Sequence, residues 1–140
     1  MFYKKDGSVY AVRPEVGEDI VKVLLEICER ENIGYAVVSG IGGMSRVTVG
    51  CYSHEHGKYL QKTFEEPMEM ISLQGNVSKK DGKAYLHVHA SFSGVDCNVV
   101  GGHLFEAVVG ITGEIFLTVV DGKLNRIINP SNEKLTILDI

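Results

Sequence analysis

The sequence lacks a basic excess. Fourteen Lys and Arg stand against eighteen Asp and Glu, a net charge of −4. A protein that holds DNA unaided draws most of its affinity from neutralising phosphates. The nearest basic clusters here are the pairs Lys4-Lys5 and Lys79-Lys80, which read as solvated surface. Cysteine is scarce too. Cys28, Cys51 and Cys97 are an odd number without C-x-x-C spacing, which excludes a disulfide scaffold and fits a reducing compartment. No apolar run approaches the roughly 18 residues of a membrane span. The segment Met1 to Gly7 has no apolar signal run, so the expectation is an intracellular, cytoplasmic protein. There is no linker, repeat or low-complexity stretch. The 140 residues are read as one domain, residues 1–140.

What is present is an average globular composition, 44% hydrophobic and 23% charged, with a core large enough to bury about two-thirds of the unfolded surface. One helix is expected over Pro14 to Asn32. Ile20, Leu24, Ile27 and Cys28 recur at spacings of three and four, and Val21 and Leu25 widen the stripe. Glu15, Glu18 and Asp19 sit where the helix dipole favours acids, and Gly34 where a left-handed C-cap would fall. The rest reads as short strands between turns. They run over Tyr35 to Ser39, Val47 to Tyr52, Tyr59 to Phe64, Met68 to Leu73, Tyr85 to Ser93, Val108 to Ile111, Ile115 to Val120, Leu124 to Ile128 and Leu135 to Leu138. The glycine run Gly40-Ile41-Gly42-Gly43 is read as a turn. The fold class is α+β: a mostly antiparallel β-sheet with one main α-helix.

The histidines carry the chemistry. His87 and His89 lie within the strand Tyr85 to Ser93, and strand alternation puts both on one face, with Leu86, Val88 and Ala90 on the other. His103 follows in Gly101-Gly102-His103-Leu104. Its glycines allow close backbone approach, so a third imidazole can meet the first two if this segment folds back. Three neutral imidazoles suit zinc, and three protein ligands leave a position open for water or substrate. The plain alternative is a solvated strand face, with His103 bonded to backbone. Both readings stand on spacing alone. His54 and His56 fall in a polar turn and read as surface.

Candidate helpers are Glu106, Glu69, Cys97 and Arg46. Glu106, three residues past His103, is the candidate catalytic residue, orienting an imidazole or moving a proton. Glu69 is a second carboxylate for proton transfer. Cys97 is a thiolate candidate, more readily an inert loop thiol, and Arg46 either meets an anion or is a surface charge. The run Gly40 to Gly43 has no Lys-Ser/Thr and leads into a strand, so it is no phosphate loop. No G-x-S-x-G elbow is present.

These motifs resemble the plants-and-prokaryotes conserved (PPC) domain. The matching segments are Ser39 to Gly42, Glu69 to Asn76, Leu86 to Ser93 and Val100 to Leu104, and the likeness covers about residues 5 to 125. Pro67-Met68 departs from the Gly-Arg-Phe that family members often carry before the residue corresponding to Glu69. The resemblance implies an α+β domain that assembles as a homotrimer, with His87, His89 and His103 as zinc ligands. In plants the domain is joined to an AT-hook that binds the DNA minor groove. This sequence has no Arg-Gly-Arg core, so a DNA-binding role is inherited from the family and unsupported by charge. The fold is also similar to acetolactate decarboxylase, a zinc enzyme. Three functions follow as expectations: a trimeric, zinc-carrying assembly or binding module with a small-molecule ligand at its metal; a zinc-dependent hydrolase or decarboxylase; and a DNA-binding regulator.

Overall fold

Runs of Val, Ile, Tyr and Thr extend into nine strands around one helix. The order is β1 (Phe2–Asp6), β2 (Val9–Arg13), α1 (Ile20–Arg30), β3 (Ala36–Ser53), β4 (Lys58–Phe64), β5 (Met68–Lys80), β6 (Lys83–Ser93), β7 (Val99–Val119), β8 (Arg126–Asn129) and β9 (Asn132–Leu138). The structure, a computed structural model, describes residues 1–140. Seven strands pair antiparallel in the order β1-β2-β7-β6-β5-β3-β4, and β3 pairs with β7 as well. That extra pairing closes β3, β5, β6 and β7 into a ring, leaving these four no open edge along the paired stretch. Strands β8 and β9 form a separate hairpin. The Lys79 amide, near the end of β5, donates to Leu124 O at 2.7 Å just before that hairpin. The α+β expectation is met.

Alternation along the strands builds the core. Val47 and Val49 of β3, Val88, Ala90 and Phe92 of β6, and Ala107, Val109, Ile115 and Leu117 of β7 are buried. Helix α1 adds Ile20, Val23, Leu24, Ile27 and Cys28 to the same cluster. Its packing face follows the three-and-four spacing read from the sequence. Burial raises the Cys28 thiol to about 12, so it behaves as a small hydrophobe.

The helix is shorter than its expected span of Pro14 to Asn32. The preceding segment is stitched to β7: the Gly17 amide donates to Val109 O at 2.9 Å and the Val109 amide to Glu18 O at 3.0 Å. These bonds hold residues 17 and 18 away from a helical path. Asp19 then caps the helix, its Oδ1 accepting from the Val21 amide at 3.1 Å and from the Ala107 amide of β7 at 3.2 Å. At the other end Asn32, at φ +51°, makes the left-handed turn in place of Gly34.

The glycine run is not a turn. Gly40 to Gly43 lie inside β3, which shifts register between Gly40 and Gly42 and again between Gly42 and Met44. A Cβ on Gly42 would stand 2.4 Å from Thr112 O. The first shift is against β5 and the second against β7, and glycine here lets β3 and β7 approach backbone to backbone. The expected strands Val108 to Ile111 and Ile115 to Val120 are likewise one continuous β7. Strands β1 and β2 have no counterpart in the sequence reading. They form a hairpin that adds to the sheet through β2–β7 pairing.

Asp19 therefore joins helix start to sheet with one carboxyl oxygen. Replacing Asp19 by Ala removes an N-cap and strands the Ala107 amide, at an expected cost of about 2–3 kcal/mol. Asp19→Asn keeps an acceptor and should cost less than half of that, as read from urea midpoints at constant slope.

Candidate metal centre

Strand pairing brings the three histidines together. His89 of β6 is the register partner of His103 of β7. His87 lies two residues along β6 on the same face, opposite Asn76 of β5. The backbone reaches this arrangement at Gly102. Its φ of +156° lies outside the comfortable range of L side chains, and a Cβ there would stand 2.6 Å from Gly50 O. The close approach expected at Gly101-Gly102 thus has a definite partner, β3.

The three rings form a nearly equilateral triangle. Centroid separations are 5.3 Å for His87–His89, 5.2 Å for His87–His103 and 5.3 Å for His89–His103. One ligand nitrogen from each lies within 4.8 Å of the others. Tetrahedral zinc, at about 2.0–2.1 Å from each nitrogen, needs them about 3.3 Å apart, a distance that small side-chain rotations can close. Tyr59 and Phe105 pack on the His103 ring at 4.9 and 4.8 Å.

Electrostatics favours the neutral form of His87 and His103. His103 is lowered to about 4, first by desolvation, then by the neighbouring His87, His89 and Arg126. His87 is lowered by the same burial and by Arg126 and His89. Neutral imidazoles offer lone pairs to a metal. One buried nitrogen, His103 Nδ1, has no hydrogen-bond partner. A buried polar atom without a partner is uncommon and costly. The donor set and this orphaned nitrogen fit a borderline divalent metal.

The other candidates lie elsewhere. The Glu106 carboxylate pairs with Arg46 at 3.2 Å, and Glu65 flanks the same guanidinium at 3.6 Å. Glu106 is not among the grouped ligand atoms. Glu69 faces Ser93 in the β5–β6 register, whereas the histidines face Gln74 and Asn76. That is about 17 Å along the strand to Gln74 and about 24 Å to Asn76 at the usual rise. Cys97 is an exposed, unpaired thiol. His56 Nδ1 hydrogen-bonds Ser53 Oγ at 2.9 Å within its turn.

Sequence reasoning missed Arg126, Tyr59 and Phe105. Arg126, on β8, donates from Nη2 to His87 Nδ1 at 3.0 Å, and burial lowers its pKa. Nothing in the spacing of Arg126 signals this. Phe105 was detectable, since it stands two residues past His103 on an extended segment.

The family model of the Plants and Prokaryotes Conserved (PCC) domain matches residues 1–121. The chain belongs to that family. A Bacteroides thetaiotaomicron structure, named a "putative dna binding protein", is similar to this PCC chain. It is 32% identical, with TM-score 0.94 over 99% of this chain and 96% of that one. The metal-containing protein from Archaeoglobus fulgidus is 33% identical, with TM-score 0.84 over 95% of each chain. Acetolactate decarboxylase from Bacillus subtilis shares the fold alone, at 15% identity and TM-score 0.58, over 89% of this chain and 57% of its own. No curated protein matches the chain.

If the orphaned nitrogen serves a ligand and not the fold, removing it should help the metal-free chain. His103→Leu fits between Tyr59 and Phe105 and deletes the unsatisfied atom. Metal-free His103→Leu is expected to be more stable than the parent by about 1 kcal/mol, measured by urea unfolding in chelator.

Proposed function

We propose that this PCC chain is a metal-carrying binding module: His87, His89 and His103 hold one divalent zinc, and three copies of the chain assemble as a homotrimer. The observation that carries the metal is the buried, partnerless Nδ1 of His103 within a triangle of three converging imidazoles. The metal-containing Archaeoglobus relative lends further support. When bound, zinc supplies Lewis acidity at the position that three protein ligands leave open. The chain's own residues orient that position. Tyr59 and Phe105 fix the His103 ring, and the β6–β7 register fixes His89 opposite it.

Assembly is supported by an apolar cluster on the outer face of the ring. Ile41 of β3, Ile71 of β5 and Ile111 of β7 are 55%, 48% and 70% exposed. They line one shallow groove together. Val37 and Phe116 are also exposed on these strands. Contiguous exposed isoleucine on the sheet's long strands suits a partner surface, and symmetry makes a further copy of the chain its simplest occupant.

The enzyme reading, with Glu106 as proton carrier, has less support, because that carboxylate is engaged by Arg46. DNA binding rests on the name of the Bacteroides relative, and the net charge of −4 opposes it. No helix is long and apolar enough to cross a membrane.

Elemental analysis of the untagged protein tests the metal. About one zinc per chain is expected in the parent, and none in folded His87→Ala or His103→Ala; a parent without metal would sink the reading. Light scattering tests assembly separately. A trimer mass near three times 15.3 kDa is expected, with Ile111→Asp dissociating to monomer.

A further inference from the structure

Arg126 is a half-buried cation without a counter-ion. Its Nε donates to Ser78 Oγ at 2.9 Å and its Nη1 to Thr136 O at 3.2 Å. Its Nη2 reaches Asn76 Oδ1 at 3.3 Å and His87 Nδ1 at 3.0 Å. The guanidinium lies over the Tyr85 ring, 4.6 Å from its centroid. Every one of these partners is neutral. The other arginines with ion pairs, Arg30 and Arg46, meet glutamates, and no carboxylate comes within ion-pair distance of Arg126. Removing a charge from water without a compensating charge is costly. Here it is done beside the three histidines.

Proton positions sharpen the point. A guanidinium has donors only, so His87 Nδ1 must accept from Arg126. Neutral His87 then carries its proton on Nε2. If a metal takes Nε2, the proton moves to Nδ1 and faces the Arg126 donor. If a metal takes Nδ1, it takes the atom that Arg126 holds. Either way the Arg126–His87 hydrogen bond and ligation by His87 exclude each other. Loading the site therefore leaves one of the two Nη2 N–H groups without an acceptor, on a cation that has no counter-ion, while the other keeps Asn76.

We infer that Arg126 is the anion-receiving residue of this centre, and that the ligand is a small carboxylate, one oxygen accepting from the released Nη2 N–H and the other meeting the open metal position. A carboxylate has one oxygen for each, makes a charge-assisted hydrogen bond to the guanidinium, and brings negative charge to both cations. This rests on the metal reading above and adds the ligand class. It also assigns a site role to β8, which lies beyond the matched residues 1–121.

Cobalt(II) in place of zinc makes the test visible. The untagged full chain is loaded with Co²⁺ and its visible spectrum is titrated with acetate, with acetamide as the uncharged control. Acetate should shift the parent spectrum saturably and acetamide should not. Arg126→Gln should take up Co²⁺ at least as tightly as the parent, since the competing donor is gone, and should bind acetate at least about tenfold more weakly, roughly 1.4 kcal/mol. Arg126→Lys keeps the charge without the fork and should fall between them; it also covers the case in which the glutamine variant does not fold. Equal acetate affinity in the parent and the folded variants, or an equal response to acetamide, overturns the inference while leaving the metal site standing. A parent that takes up no Co²⁺ overturns the metal reading, and this inference with it.

Discussion

The pairing of β3 with β7 is the constraint on which the rest depends. It runs from Ala36 opposite Val119 to Gly50 opposite His103. It turns an open sheet into a ring and defines an inside for Phe92, Leu73 and Leu117 to fill. Two very long strands can follow each other over this length only if their differing twists are absorbed. The register shifts at Gly42, Met44 and Thr48 absorb them. The same pairing ends at the functional end of the molecule. Gly102 rests its bare Cα against Gly50 O, and His103 is delivered to His89 one residue later. Backbone closure and site assembly are one event in this fold.

The site runs against the interests of the core. Leu or Phe would suit the half-buried place that His103 takes against Tyr59 and Phe105, where one imidazole nitrogen is left unsatisfied. The low pKa of His103 expresses the same conflict, since burial and nearby Arg126 disfavour its cationic form. Such local conflicts gather where a fold serves a ligand as well as its own stability. Glu106 is an instructive contrast. It is close in sequence to His103, yet its charge is neutralised by Arg46.

The legible part of the sequence was the part with a period. The spacing of Ile20, Leu24, Ile27 and Cys28 placed the helix face, and alternation put His87 and His89 on one side of a strand. The α+β class followed from both. What escaped were features set by distant backbone. Gly40 to Gly43 read as a turn because glycine punctuates loops, but its reason is the close crossing of β7. Val108 to Val120 read as two strands for the same cause, with Gly110 and Gly113 inside one β7. Pro14 to Glu18 carried acids suited to a helix start, and hydrogen bonds to Val109 diverted the chain. The third histidine joined the pair through pairing across the β6–β7 turn, which spacing permitted without requiring.

Arg126 shows why part of the site could not be read at all. Local pattern marks Arg126 as one more cation within the expected strand Leu124 to Ile128. Its position follows from the Lys79–Leu124 hydrogen bond and the adjoining bridge between Lys79 and Asn125, which carry the chain from the far end of β5 back across the face that holds Asn76 and Ser78. The guanidinium then has nowhere to go but over Tyr85 and onto His87. Charge at this centre thus comes from the small hairpin, while the three imidazoles come from the ring. That division makes the two separable: the β6–β7 register places His89 beside His103, and His87 two residues along, whatever the hairpin carries. The charge beside them comes from a single side chain, Arg126, whose donors meet no anion within the chain.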